Sequence, residues 1–441
     1  MKINWVFTFL FSALAAYAGP VQIPYIERQP EPADYAPQCA YMFPAGQPKE
    51  KVLAPGELDV RSCDISEWDL RDYTALELAD VLTFDDKTVF PPKSKLPARF
   101  YPEFILQNGT NPGLHLRSLH EQGIDGRGIS VAIIDQNLLT THRDYRRSLV
   151  WYQEVFSYKD VPASMYGTAA ASILVGRRGG IAPRARLFYF AAQFAEKNGH
   201  LDAMPIVDAL EQIIDLNTKL PPDIKIRVVS IASGFGPEDN GFEAFTQTVR
   251  KLSQSGVAVF TMRDVYPLSR IHAIDHPDFA LRYCRPANWL APDEYDKIYD
   301  RATLHRRLLV PTDYRTVASA TDDEEYVHFA SSDASWGVPF VAGIYTLALQ
   351  LNPTLTKREF IHAWRESAVN DKCLYNDHLF EVYNFANPLA LLKKVQSPAK
   401  TDTEEDTPVT VAEPPARDHR HGRSFYRPRP TGKSVSGTKL R

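Results

Sequence analysis

Between residues 129 and 264 the chain alternates short apolar runs with amphipathic stretches of helical period, and this constrains the fold more than any other feature. The runs are ISVAIIDQ (129–136), ARLFYFAAQ (185–193), IKIRVVSIASG (224–234) and SGVAVFTMRD (255–264). Each is short, rich in β-branched or aromatic residues, and flanked by turn residues. Between them, HLDAMPIVDALEQIIDLNTK and NGFEAFTQTVRKLSQSG place apolar residues three and four apart, and the second stops at a glycine, a usual helix end. Apolar strands without internal alternation are buried on both faces. Alternation with helices therefore predicts an α/β fold: a three-layer sandwich with a mostly parallel central sheet and helices on both faces. In such sheets ligands sit beyond the carboxyl ends of the strands, and Asp135 closes one of those ends.

The remaining segments divide the chain. Residues 1–18 begin Met1-Lys2, continue as an apolar run too short for a membrane span, and leave through Ala16-Tyr17-Ala18. That pattern predicts a signal peptide, and with it a secreted or periplasmic protein. No later run reaches spanning length, so no membrane span is expected. Residues 19–95, rich in proline and turn residues, read as an N-terminal extension: a pro-segment, a cap, or an ordered arm packed on the main domain. Within it, ISEWDLRDYTALELADVLTF is the one helical-looking stretch. The main domain is assigned to 96–395, with residues 265–330 less regular and SWGVPFVAGIYTLALQLNP (335–353) and TKREFIHAWRESA as helices. Residues 396–441 are acidic, then basic, and proline-rich, which predicts a disordered tail. A net charge of −4 over 441 residues gives no reason to invoke nucleic acid. The four cysteines, Cys39, Cys63, Cys284 and Cys373, allow three pairings, of which Cys39 with Cys63 is the local one. None has the CxxC spacing of a zinc site.

Four blocks then carry a resemblance. GISVAIIDQNLLTTHRDY is similar to the strand and turn that present the catalytic Asp of subtilisin-like serine proteases (the subtilase, or peptidase S8, family). YGTAAASILVGRRGGIAPRARLFYF resembles that family's HGT helix with its following turn and strand. VVSIASG resembles the strand lining the substrate cleft, and SDASWGVPFVAG resembles the GTSMAxPxVAG block that holds the nucleophile. The order is that of the family, and the resemblance runs from about residue 100 to 390. It implies Asp135 as the orienting acid, Ser335 as the nucleophile, and Ser233 and Gly234 as the cleft edge that pairs with an extended protein or peptide. Members often carry structural calcium, but no motif here places a ligand, and no other cofactor is implied.

Two positions depart from the family. Tyr166 stands where the general base His belongs. Where an oxyanion Asn is expected, FTMRDV offers Arg263, Asp264 or Val265. Asp333-Ala334 also replaces Gly-Thr ahead of Ser335. A serine hydroxyl needs a base that takes and returns a proton; imidazole titrates near ~6.5, whereas a phenol titrates near ~10 and is already protonated at neutral pH. Loss of the base alone costs about 10⁶ in kcat in enzymes of this construction. His142, just after the Asp135 strand, and His328, seven residues before Ser335, both read as structural or exposed; Asp264 and Glu211 are carboxylates with no spacing argument behind them. GRRGG (176–180) lacks the GK[ST] ending of a phosphate loop and reads as a turn. NGT at Asn108 is a glycosylation acceptor only on a eukaryotic secretory route. The expected function is a secreted subtilisin-like pseudoprotease that binds a protein or peptide in its cleft, the alternative being a serine endopeptidase with a non-standard base.

Overall fold

The computed structural model describes residues 21–35, 56, 58–156, 160–192, 195–197, 200–268, 307–332, 334–375 and 378–396. Strands and helices are numbered along the chain. Six strands form a wholly parallel sheet: β1 (Tyr25–Ile26), β4 (Ser130–Asp135), β5 (Leu149–Phe156), β6 (Arg186–Ala192), β9 (Ile226–Ile231) and β10 (Ala258–Phe260), in the order β1-β5-β6-β4-β9-β10. A four-stranded sheet has the order β13 (Arg315–Ala318), β14 (Tyr326–Phe329), β3 (Leu82–Asp85), β2 (Leu58–Asp59). A second runs β11 (Val265–Leu268), β12 (Leu308–Pro311), β16 (His378–Phe385), β15 (Val369–Tyr375), and β7 (Ala195–Lys197) pairs with β8 (His200–Asp202).

The helices are α1 (Ala75–Val81), α2 (Pro102–Gly109), α3 (Leu116–Glu121), α4 (Met165–Val175), α5 (Met204–Lys219), α6 (Phe242–Gln254), α7 (Gly337–Leu351), α8 (Lys357–Ser367) and α9 (Pro388–Val395). The side-chain period of two along the central strands sorts the core into two faces. Val131, Ile133, Leu187, Tyr189 and Val228 pack with α4 and α7. Ala132, Ile134, Phe188, Phe190, Val229 and Ile231 pack with α5 and α6 on the other side. This is the three-layer α/β sandwich that the sequence predicts.

Local chemistry explains the helix ends. The Ser164 hydroxyl accepts from Tyr166 N and caps α4, which is composed of small and aliphatic residues and stops at Gly176. The chain leaves α6 through Gly256 at φ +81, a conformation glycine adopts without strain. Gly343 lets α7 approach the loop after α4, since a Cβ there would stand 2.5 Å from Ile181 Cβ. The stretch Ala334–Leu351 is apolar and long enough to cross a membrane, contrary to expectation, but 83% of it is buried inside the protein as the core helix.

Two regions differ from the sequence reading. The helical-looking stretch of the extension is helical only over Ala75–Val81, where Thr74 and Glu77 form a capping box, and Leu82–Asp85 is a strand. Its aromatic and β-branched residues are recruited by β14, with Asp85 opposite Val327 and Phe84 opposite His328. Residues 265–330, expected as surface loops and short strands, do supply the short strands β12, β13 and β14, but these are almost all buried and not at the surface. Leu58, Val60, Trp68, Leu78, Phe84 and Phe100 belong to a further apolar cluster of their own. Cys63 is buried and disulfide-bonded. The expected signal peptide, the tail from 397 onward, and the side chains of Cys39, Cys284 and Cys373 lie outside the described residues.

Candidate functional site

Asp135 ends β4 and is 3% exposed, with Oδ1 accepting from Gln136 N at 2.7 Å. The start of α4 is pressed directly onto the next residues. Ser164 N donates to Asn137 O at 2.7 Å, the Ser164 hydroxyl meets Gln136 Oε1 at 2.6 Å, and Leu139 N reaches Thr168 Oγ1 at 3.5 Å. Gly167 explains how close the two segments come: a Cβ there would collide with Gln136 O and with the Tyr189 hydroxyl. That hydroxyl itself donates to Gln136 O. Burial, and next the negative charge of Asp135, push the Tyr189 phenol well above its ordinary value. Asp135, Tyr189 and the α4 start therefore form one cluster, and Tyr166, 39% exposed, is the second residue of that helix.

Ser335 lies in a 3₁₀ turn, Ala334–Trp336, ahead of α7, and not at the cap of the helix. The turn packs against α4. Trp336 stands edge-on to Phe329 with ring centroids 5.3 Å apart. The structure thus gathers the elements carrying Asp135, Tyr166 and Ser335 around α4.

Ser233 and Gly234 follow the carboxyl end of β9, next to the segment that leaves β10. The Ser233 N–H donates to Ile231 O at 2.7 Å, and its carbonyl accepts from Met262 N at 3.0 Å. A Cβ on Gly234 would stand 3.2 Å from Met262 Cβ. Arg263 Nε donates to Phe235 O at 2.6 Å, and its guanidinium lies 5.5 Å from the Phe242 ring centroid. The two segments are therefore sewn together, and Ser233 spends its backbone groups within the chain.

The residues around the expected oxyanion position have other tasks. Asp264 Oδ2 accepts from Thr261 N at 2.9 Å, and Oδ1 pairs with the Lys357 ammonium at 2.7 Å; Val265 begins β11. Glu211 pairs with Lys251 and accepts from Thr248, and these bonds hold its carboxyl below the usual range. His142 is fully buried, with Nε2 2.8 Å from Glu325 O and Nδ1 accepting from Asp144 N at 3.1 Å. His328 is fully buried on β14 and meets Thr316 Oγ1 through Nδ1 at 3.2 Å. Among the described residues no group of three His, Cys, Asp or Glu side chains could hold a metal ion. Sequence reasoning missed Gln136, Ser164, Tyr189 and Lys357; no motif marks them, because each acts through contacts between distant segments.

No family model matches the chain. Solved structures similar to it include the prenylagaramide maturation protease PagA, at 16% identity over 64% of this chain and 99% of that one, with a TM-score of 0.46. The PatG macrocyclase in complex with peptide is 14% identical over 64% of this chain and 96% of that one, TM-score 0.44. A serine protease of Aeromonas sobria is 14% identical over 67% of this chain and 66% of that one, TM-score 0.43.

Proposed function

We propose that this chain is an exported, subtilisin-like domain that binds an extended protein or peptide segment near the Asp135–Ser335 site without hydrolysing it. The observation that carries the reading is the position of Tyr166. It is the second residue of the helix that packs on both the Asp135 loop and the Ser335 turn, and the sequence resemblance gives that position to an imidazole. His142, Asp264 and Glu211 support the reading, because each is engaged elsewhere as described. A phenol in that place offers a partly exposed aromatic ring, which suits recognition. Export through residues 1–18 belongs to the same reading.

The test is capture of peptides by the full exported chain from a proteolytic digest, compared with Gly234→Trp. That substitution fills the space beside Met262 at the edge of the site. The reading expects selective capture by the wild type and loss of it in the variant at an unchanged melting temperature. Equal capture by both proteins would rule out binding at this edge.

A further inference from the structure

A cavity of about 500 Å³ lies at the end of α4 remote from Tyr166. α4 has eleven residues, and at 1.5 Å per residue that places the two ends about 16 Å apart. Four segments build the cavity: the end of β3 with the turn after it, α2, Arg117 at the start of α3, and the loop GRRGG that follows α4. GRRGG has no part in the Asp135–Ser335 site.

The lining has two characters. Phe84, Phe90, Pro102 and Leu106 supply apolar surface. Around it stand two cations, Arg117 and Arg178, and two anions, Asp86 and Glu103. All four reach solvent at the rim, and none of them makes an ion pair within 4.0 Å. Their other contacts hold the arginines in place. Arg178 lies over the Tyr326 ring at 4.4 Å, and its backbone N donates to Asp144 Oδ1 at 3.0 Å. Arg117 donates to Thr110 Oγ1 at 3.3 Å. The third acid in the lining, Asp85, is saturated by Ser62 N, Ser62 Oγ, Lys87 N and Thr88 Oγ1.

Unpaired charges of both signs around an apolar floor match a ligand that carries both charges and an apolar side chain. We propose that this cavity binds a short peptide with free ends: its carboxylate on Arg117 and Arg178, its ammonium on Asp86 and Glu103, and an apolar side chain against Phe84, Phe90 and Leu106. A carboxylate meeting a guanidinium makes charge-assisted hydrogen bonds of fixed geometry, so both termini contribute to recognition. A fatty acid would leave the two anions unmatched. This site is independent of the reading given to the Asp135–Ser335 region.

The experiment is calorimetric titration of the full chain with Leu-Phe, N-acetyl-Leu-Phe and Leu-Phe amide. The proposal expects saturable binding of Leu-Phe and about tenfold weaker binding of each blocked form, the scale of one charge-assisted bond. Arg178→Gln and Arg117→Gln should each weaken Leu-Phe about tenfold and leave Leu-Phe amide nearly unchanged, because the amide has no carboxylate to lose. Glu103→Gln should act in the same way on the amine side. Absence of saturable binding at millimolar dipeptide would overturn the proposal. So would equal affinity for Leu-Phe and its amide, or wild-type affinity in both arginine variants.

Discussion

His142 Nε2 lies 2.8 Å from the carbonyl oxygen of Glu325, and its Nδ1 accepts from Asp144 N. The second bond requires a bare Nδ1, so the proton sits on Nε2 and the ring is neutral. Burial pushes this imidazole below its ordinary value. A base held below its unfolded value contributes stability above pH ~6.5 and loses it as pH falls through the lowered folded value. Urea denaturation of the wild type should therefore show a loss of stability on acidification below about pH 6 that is smaller in His142→Gln. At pH 7 His142→Ala should cost about 2–4 kcal/mol, since it leaves Asp144 N and Glu325 O without their partner in the core.

Glu325 joins the turn after β3 to the β13–β14 hairpin through the Lys87 ammonium at 2.7 Å. Burial, and next the negative charge of Asp85, raise Glu325 above the usual carboxylate range, with the Lys87 bond opposing. A carboxyl raised on folding contributes stability below its unfolded value of ~4.5 and loses it as pH rises through the folded value. Glu325→Gln should thus be most destabilised relative to the wild type near pH 4, and the gap should narrow towards pH 7. Melting temperatures across that range check the sign; a gap that widens would mean that the Lys87 pair dominates.

Gly167 is the point where α4 touches the loop after Asp135, with Gln136 O and the Tyr189 hydroxyl in the space of a Cβ. Gly167→Ala must push α4 away from β4 and should cost about 1–3 kcal/mol in chemical denaturation, the scale of overpacking in a core. A neutral or stabilising result would show that the loop yields freely.

Tyr166→His alone should leave peptide hydrolysis within about tenfold of background. The position expected to hold an oxyanion donor stays occupied by Arg263, bonded to Phe235 O at 2.6 Å, and by Asp264, paired with Lys357. Assay of a quenched-fluorescence peptide library against that variant checks this; restoration by several orders of magnitude would show that the second departure is harmless.

The layered core was legible because buried strands announce themselves. ISVAIIDQ and IKIRVVSIASG are apolar on both faces and lie in β4 and β9 as expected. α5 and α6 followed from their three-and-four spacing. β5 was missed, because LVWYQEVF mixes polar residues into a strand whose partner on one side is only the two-residue β1. β3 was missed because its pairing with β14 joins residues more than 240 apart, which local propensity does not encode. For the site, the blocks named Asp135, Tyr166 and Ser335, which the structure carries at the end of β4, on α4 and in the turn ahead of α7. They did not reveal that Met262 and Arg263 bond across to Ser233 and Phe235, because that bridge exists only once β9 and β10 lie side by side.

The central claim is that no group activates the Ser335 hydroxyl. Treatment of the full chain with a fluorophosphonate, read as intact and peptide mass, tests it most directly, since only an activated serine reacts. The account predicts an unmodified Ser335 alongside full labelling of an active serine protease in the same tube. A stoichiometric adduct on Ser335, absent in Ser335→Ala and accompanied by turnover of casein, would contradict it.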